Sequence, residues 1–206
     1  MILSRFRLAL AALAALALLL PLGAAAAKPG EAAPAFTLVD VDGKERSLAE
    51  FAGKPVVLEW TNAGCPFVRK HYDSGNMQAL QKKWTEKGVV WLTVNSSAKG
   101  KQGHVDAAGA KKEIAANEAV PTAYLLDHDG KVGKAYGATA PPHMYVIDAK
   151  GQLAYAGAID DKPSADQEDI AGAKNYVDAA LTAVLAGEPV ETKATRAYGC
   201  AMKYAD

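Results

Sequence analysis

Cysteine is the side chain that supplies a strong nucleophile near neutral pH, and this chain of 206 residues holds two, Cys65 and Cys200. Cys65 stands in Trp60-Thr61-Asn62-Ala63-Gly64-Cys65-Pro66-Phe67-Val68, directly after the apolar, β-prone run Val56-Val57-Leu58-Glu59-Trp60. Pro66 suits the first turn of a helix and is a poor strand residue. Cys65 is therefore expected where a strand feeds a helix, at the helix N-terminus. Unpaired N–H groups and the helix dipole there favour thiolate over thiol. Arg69, one helical turn further along the same face, is expected to add a second favourable charge. A thiolate so placed attacks a peroxide oxygen, leaving a sulfenic acid, or a disulfide sulfur, leaving a mixed disulfide, and both products call for a second thiol.

Cys200 is the candidate for that thiol. It lies in a tail, residues 191–206, where Tyr198, Met202 and Tyr204 supply apolar area for docking and Gly199 permits a close backbone approach. The tail is expected to fold back and place Cys200 beside Cys65, as a resolving partner or as the other half of a static disulfide that pins the tail. Both options stay open on the residues alone. Glu59 sits inside the apolar strand. Buried there its carboxyl would carry a raised pKa, the mark of a general acid or base, whereas an outward-facing edge position would leave it ordinary. His71, His104, His128 and His143 show no metal-ligand spacing, and neither metal nor cofactor is expected. Cys65, His143, Met144 and Cys200 could together offer soft donors to copper(I), a weaker alternative. Trp60, Trp84 and Trp91 read as packing residues.

The elements that must position these groups alternate in type. Strands are expected at Ala35–Val39, Val56–Trp60, Val89–Val94 and Ala123–Leu126, and a hairpin at Met144–Ile147 and Leu153–Ala156. Ser47 can cap a short turn over Leu48–Phe51. Helices are expected from Pro66 to about Lys87, interrupted at Ser74-Gly75, then over Val105–Ala119, Lys131–Tyr136 and Tyr176–Leu185. The stripe Met77, Leu80, Trp84 marks the buried face of the first. Strands alternating with helices imply an α/β domain around a central mixed sheet.

Composition bounds the setting. Residues 1–27 carry Arg5 and Arg7, an unbroken Leu/Ala run over Leu8–Leu20, the breakers Pro21 and Gly23, and four alanines, which is the pattern of a secretory signal peptide. An uncleaved leader would be the route to a membrane. The chain is expected outside the cytoplasm, periplasmic or secreted, where two cysteines can form a disulfide. The 23 basic and 23 acidic residues balance, and no basic stripe for nucleic acid appears. P-loop, zinc-finger and dinucleotide-binding patterns are absent.

Several motifs together carry a resemblance: Pro34-Ala35-Phe36-Thr37-Leu38, Gly53-Lys54-Pro55-Val56-Val57-Leu58, Asn62-Ala63-Gly64-Cys65-Pro66-Phe67-Val68, Pro142-His143-Met144-Tyr145-Val146-Ile147-Asp148 and Gly199-Cys200-Ala201-Met202-Lys203-Tyr204. The chain is similar, over about Pro34 to Tyr204, to thioredoxin-fold redoxins of the peroxiredoxin-like (alkyl hydroperoxide reductase/thiol-specific antioxidant) group. The resemblance implies a thioredoxin-like fold over residues 28–190, with the cysteine-bearing tail after it. It implies a thiol-dependent oxidoreductase that acts on a peroxide or a protein thiol/disulfide and is recharged by a reducing thiol partner. Glu59 matches the position of a proton-relaying acid in many thioredoxins, and Pro142 their cis-proline, so the Pro141-Pro142 bond is expected to be cis. The departures are equally specific. Val68 stands where disulfide-reducing thioredoxins have a second cysteine. Asn62 stands three before Cys65, where peroxiredoxins have Thr or Ser, with Thr61 one place off. Pro142-His143 stand where peroxiredoxins have an arginine. Thiol-disulfide exchange without peroxidase activity, or a non-catalytic copper-binding role with a structural Cys65–Cys200 bond, are the alternatives.

Overall fold

A computed structural model describes residues 26–205. The expected signal peptide thus lies almost wholly outside the described residues. Seven strands form one mixed sheet: β1 (Thr37–Asp40), β2 (Glu45–Ser47), β3 (Val56–Trp60), β4 (Val90–Asn95), β5 (Ala123–Leu126), β6 (His143–Ile147) and β7 (Leu153–Gly157). Their order is β2-β1-β5-β4-β3-β6-β7, with β3, β4 and β5 parallel and the rest antiparallel. Both neighbours of β3 are long strands, and all five of its residues are buried, as its uninterrupted apolar run requires of a strand covered on two faces.

The helices are α1 (Pro66–Asp73), α2 (Asn76–Thr85), α3 (Ala107–Ala116), α4 (Lys131–Tyr136) and α5 (Tyr176–Ala186). The expected break at Ser74-Gly75 is real. Gly75 adopts φ 77°, which ends α1 and opens α2. Met77, Leu80 and Trp84 then face the core from α2 as their spacing predicts. Side chains alternate across the sheet. Val57, Trp91, Met144 and Val146 face the layer built by α1, α2 and α5, and Leu58, Trp60, Leu92, Tyr145 and Ile147 face the layer under α4 and the N-terminal segment. Ser47 does cap the 3-10 turn Leu48–Phe51, its Oγ accepting from Glu50 N–H at 3.3 Å.

Two short elements were not expected. Strand β2, Glu-Arg-Ser, has no apolar alternation and exists because it edges β1. A 3-10 turn at Glu168–Gly172 buries nothing. Helix α3 spans less than the alanine-rich stretch suggested, with Asp106 capping it through Gly109 N–H at 2.7 Å. The tail after α5 does not trail in solvent. Ala156 N–H bonds Lys193 O and Thr195 N–H returns to Ala156 O, each at 3.1 Å, so the chain runs past the β7 edge and back across the mouth of the sheet.

Candidate active site

The site grows from the end of β3. After Trp60 the chain leaves the sheet with Thr61 N–H still bonded to Val94 O at 3.0 Å. The Asn62 side chain then shapes the turn: its Oδ1 accepts Gly64 N–H at 2.9 Å, and its backbone carbonyl accepts Cys65 N–H at 2.9 Å. Cys65 becomes the N-cap of α1 with extended backbone (φ −89°, ψ 123°), Pro66 follows at N1, and the Cys65 carbonyl takes the first helical bonds from Val68 and Arg69. The strand-to-helix position read from Pro66 is where Cys65 sits.

The Cys65 side chain is fully buried. Its S–H points at the carbonyl of Pro141, 3.4 Å away. The Pro141-Pro142 peptide is cis, and Pro142 is buried beside it, ahead of β6. From the other side the N–H of Cys200 donates to Cys65 Sγ at 3.4 Å. The tail reaches this point by specific contacts. Gly199 runs against the Pro141 carbonyl with φ 147°, where any Cβ would collide with that oxygen. Met202 N–H bonds Thr139 O at 2.9 Å, and Ala98 N–H bonds Lys203 O at 2.8 Å. Tyr204 lays its ring over Gly130 and Gly133 and donates to Ala138 O at 2.7 Å. Both cysteines are free thiols. Burial first, then the hydrogen bond to and the charge of Cys65, push the Cys200 thiol up to about 11, with Lys203 pulling the other way. Cys200 is thus held as a thiol at neutral pH.

Glu59 occupies the centre of the sheet, which removes the edge alternative. Its carboxylate accepts from four neutral donors: Tyr72 Oη–H at 2.6 Å, Trp91 Nε1–H at 2.8 Å, Gln81 Nε2–H at 3.1 Å and Thr93 Oγ1–H at 3.3 Å. Burial raises its carboxyl above the ordinary carboxylate range against the pull of those donors. Gln81 cannot turn its amide the other way, because its Oε1 holds Val120 N–H at 2.8 Å. Tyr72 and Thr93 also line a narrow crevice, with Thr61, Ala63 and Arg69, that opens beside the Cys65 turn.

Two expectations require correction. Arg69 does not aim its charge at Cys65. Its guanidinium pairs with Asp73 at i+4 and reaches Asn117, half exposed on the outer face of α1. The copper(I) donor set falls apart because side chains alternate along β6. Met144 points into the Cys65 layer, while His143 points into the opposite one, stacked on Tyr145 with its Nδ1 accepting Thr139 N–H at 3.2 Å. Among the described residues no group of three or more His, Cys, Asp or Glu is placed to hold a metal ion.

Two groups of residues had no sequence signal. Gln102, in the loop after β4, exchanges two amide hydrogen bonds with Asn62, at 2.9 and 3.2 Å, and so braces the Cys65 turn. Lys70, His71, Asp160 and Tyr198 form a cluster between α1 and the tail, with the first three buried. The returning tail and the segment around Asp160 make Lys70 and His71 interior, while Arg69 stays half exposed.

A cis-proline-flanked cysteine capping the helix after a central parallel strand defines a thioredoxin-fold thiol protein. The family model Redoxin matches residues 28–175, and the chain belongs to that family. Among curated relatives it is 27% identical over 124 residues to the thiol-disulfide oxidoreductase ResA of Bacillus thuringiensis, covering 60% of this chain and 66% of the relative. It is 31% identical over 142 residues to the chloroplastic peroxiredoxin Q of Triticum aestivum, covering 61% and 57%. The chain thus spans less than two thirds of the length of these relatives. Among solved structures, a hypothetical protein from Sinorhizobium meliloti superposes with TM-score 0.74 at 25% identity, covering 88% of this chain and 97% of that one. The thioredoxin domain of a thiol-disulfide oxidoreductase from Bacteroides vulgatus superposes with TM-score 0.51 at 25% identity, covering 62% and 86%.

Proposed function

We propose that this protein is an extracytoplasmic, peroxiredoxin-like thiol oxidoreductase in which Cys65 is the nucleophile and Cys200 the resolving thiol. The observation that carries this is the Cys200 N–H on Cys65 Sγ at 3.4 Å, at a helix N-cap. In the first step the Cys65 thiolate attacks the distal peroxide oxygen. The O–O bond breaks, the leaving oxygen takes a proton and departs as water or an alcohol, and Cys65 becomes a sulfenic acid. In the second, Cys200 loses its proton and attacks the Cys65 sulfur, a Cys65–Cys200 disulfide forms, and water leaves. A reducing dithiol partner reopens the bridge by exchange. Glu59 is the group suited to hold and return protons below the site, with the crevice at Tyr72 and Thr93 as its route to solvent. Asn62 sets the turn, and the carbonyl of Pro141, fixed by the bond to Pro142, sets the thiol direction. The leader pattern of residues 1–27 supports delivery outside the cytoplasm.

Thiol-disulfide exchange is the second reading, favoured by the cis-proline at the cysteine and by the likeness to the thiol-disulfide oxidoreductase ResA. One experiment separates the two. Fully reduced protein is mixed with hydrogen peroxide or with a disulfide-bonded peptide, and thiol loss is followed with peptide mass mapping. The proposal expects peroxide to be consumed in a 1:1 ratio with Cys65–Cys200 bridges. Peroxide left untouched while the peptide disulfide is reduced replaces the first reading by the second.

A further inference from the structure

Helix α1 begins at Cys65 and carries Lys70 and His71 more than one turn on. Both are buried, an unusual place for two cationic residue types. Tyr198 of the tail and the segment around Asp160 lie against them, and each is answered by a partner. Lys70 Nζ–H donates to Lys162 O at 2.9 Å and lies 4.0 Å from Asp160 Oδ2. Asn76 Nδ2–H donates to His71 Nδ1 at 2.8 Å, so the ring proton is on Nε2, which faces Tyr198 Oη at 3.2 Å. The Tyr198 hydroxyl in turn donates to Asp160 Oδ1 at 2.5 Å, and that oxygen also receives Lys162 N–H at 3.0 Å. The hydrogens therefore run in one direction, from Asn76 through His71 and Tyr198 to Asp160. The Tyr198 ring packs edge-on against Phe67 at 5.8 Å and under Lys70 Nζ at 5.7 Å.

Tyr198 is two residues before Cys200, and Met202, bonded to Thr139, is two residues after it. Three residues of chain between two fixed points leave Cys200 little room to move. With one point released it hangs from the other. We propose that Tyr198 is the positioning residue for Cys200: its hydroxyl, caught between His71 of the Cys65 helix and Asp160 after β7, holds the tail so that Cys200 stays on Cys65. The resolving part of this role rests on the function proposed above. The covering of Cys65 does not.

Tyr198→Phe tests it, because the ring and its packing stay and only the hydroxyl goes. Two quantities are read on the reduced full-length protein. The first is the rate at which iodoacetamide alkylates Cys65, by peptide mass mapping. The second is the equilibrium with glutathione disulfide, in which Cys65 displaces one glutathione, Cys200 displaces the other, and the bridge forms. That equilibrium measures the effective concentration of Cys200 at Cys65. The expected result is about a tenfold rise in the first and a fall of about tenfold in the second, the size of one charge-assisted hydrogen bond. Asn76→Ala, which frees the His71 tautomer from outside the cysteine path, is expected to shift both in the same direction by less. Values unchanged in both variants overturn the proposal. A wild-type protein that forms no Cys65–Cys200 bridge with glutathione disulfide overturns the proposed function instead, and the alkylation rates still decide the role of Tyr198.

Discussion

The two cysteines are held by different kinds of structure. Cys65 is placed by regular elements: a strand paired on both sides, a proline at N1, and a turn closed by Asn62. Moving it means disturbing the middle of the sheet. Cys200 is placed by a strap without regular structure, pinned at separate points by Thr195, Tyr198, Met202, Lys203 and Tyr204. Segments of the first kind open only with global unfolding, and segments of the second kind open locally at lower cost. The difference teaches which half of the redox pair moves. Cys65, the proposed nucleophile, is the fixed partner, and it is also the one with no exposure. Access to it is then a property of the strap rather than of the cysteine itself.

The strongest way to sharpen this contrast is Cys65→Ser. It is expected to abolish peroxide-driven loss of the Cys200 thiol, while the melting temperature moves by only a few degrees. A retained two-thiol oxidation, checked by mass mapping, would place the chemistry elsewhere. Gly199→Ala comes next. A methyl group there meets the Pro141 carbonyl, and the backbone stands at φ 147°, so the strap cannot seat around Cys200. Cys65 should label at least about tenfold faster with iodoacetamide, while far-UV circular dichroism and the main melting transition hold. A matching fall in global stability would show that strap and sheet are one cooperative unit.

Acid offers a third, graded test. Burial drives the imidazoles of His71 and His143 down to about 4, from an ordinary value near 6.5. The unfolded chain takes up these protons more readily than the folded one. Their stabilisation is therefore full above pH 6.5, falls as pH drops toward 4, and levels off below that, by about 3 kcal/mol for each group. His71 sits under the strap and His143 in the sheet, so the strap is expected to release first. Labelling of Cys65 by dithiodipyridine should rise at a higher pH than that at which circular dichroism is lost. Coincident transitions would break the contrast. The smallest effect is expected from Gln102→Ala, which removes the brace on Asn62. It should cost about 1 kcal/mol in chemical denaturation and change the rate of bridge formation by less than about threefold, because the sheet still positions Cys65.

These asymmetries also explain what the sequence could convey. Cys65, Pro66 and the run from Val56 to Trp60 are adjacent, and local rules of strands and helix starts suffice for them. The strap's direction was readable too, from three apolar side chains and a glycine around one cysteine. Its anchoring was not. His71 and Tyr198 are 127 residues apart, and Lys70 and Lys162 are 92 apart. Lys70 and His71 are polar residues whose ordinary reading is solvation, and only the distant tail and the segment after β7 bury them. Arg69 shows the converse. Its spacing from Cys65 was correct, but helix geometry also put Asp73 one turn further on, and the closer acid took the charge. His143 was misplaced because adjacency in sequence is opposition in a strand.

The order of anchors along the strap has a mechanical consequence. Tension applied at the C-terminal end does not shear the attachments together. It loads them in series, first the Tyr204 ring on its glycine seat, then the Lys203 carbonyl, then the Met202 and Cys200 amides, then the Tyr198 hydroxyl, and last Thr195 at the edge of β7. The strap peels, and its strength at any moment is that of one anchor. The sheet behind it, whose strands are paired along their length, bears no load until the peel is complete. A weak pull on the strap beyond Tyr204 would therefore uncover Cys65 and leave its own geometry at the end of β3 unaltered.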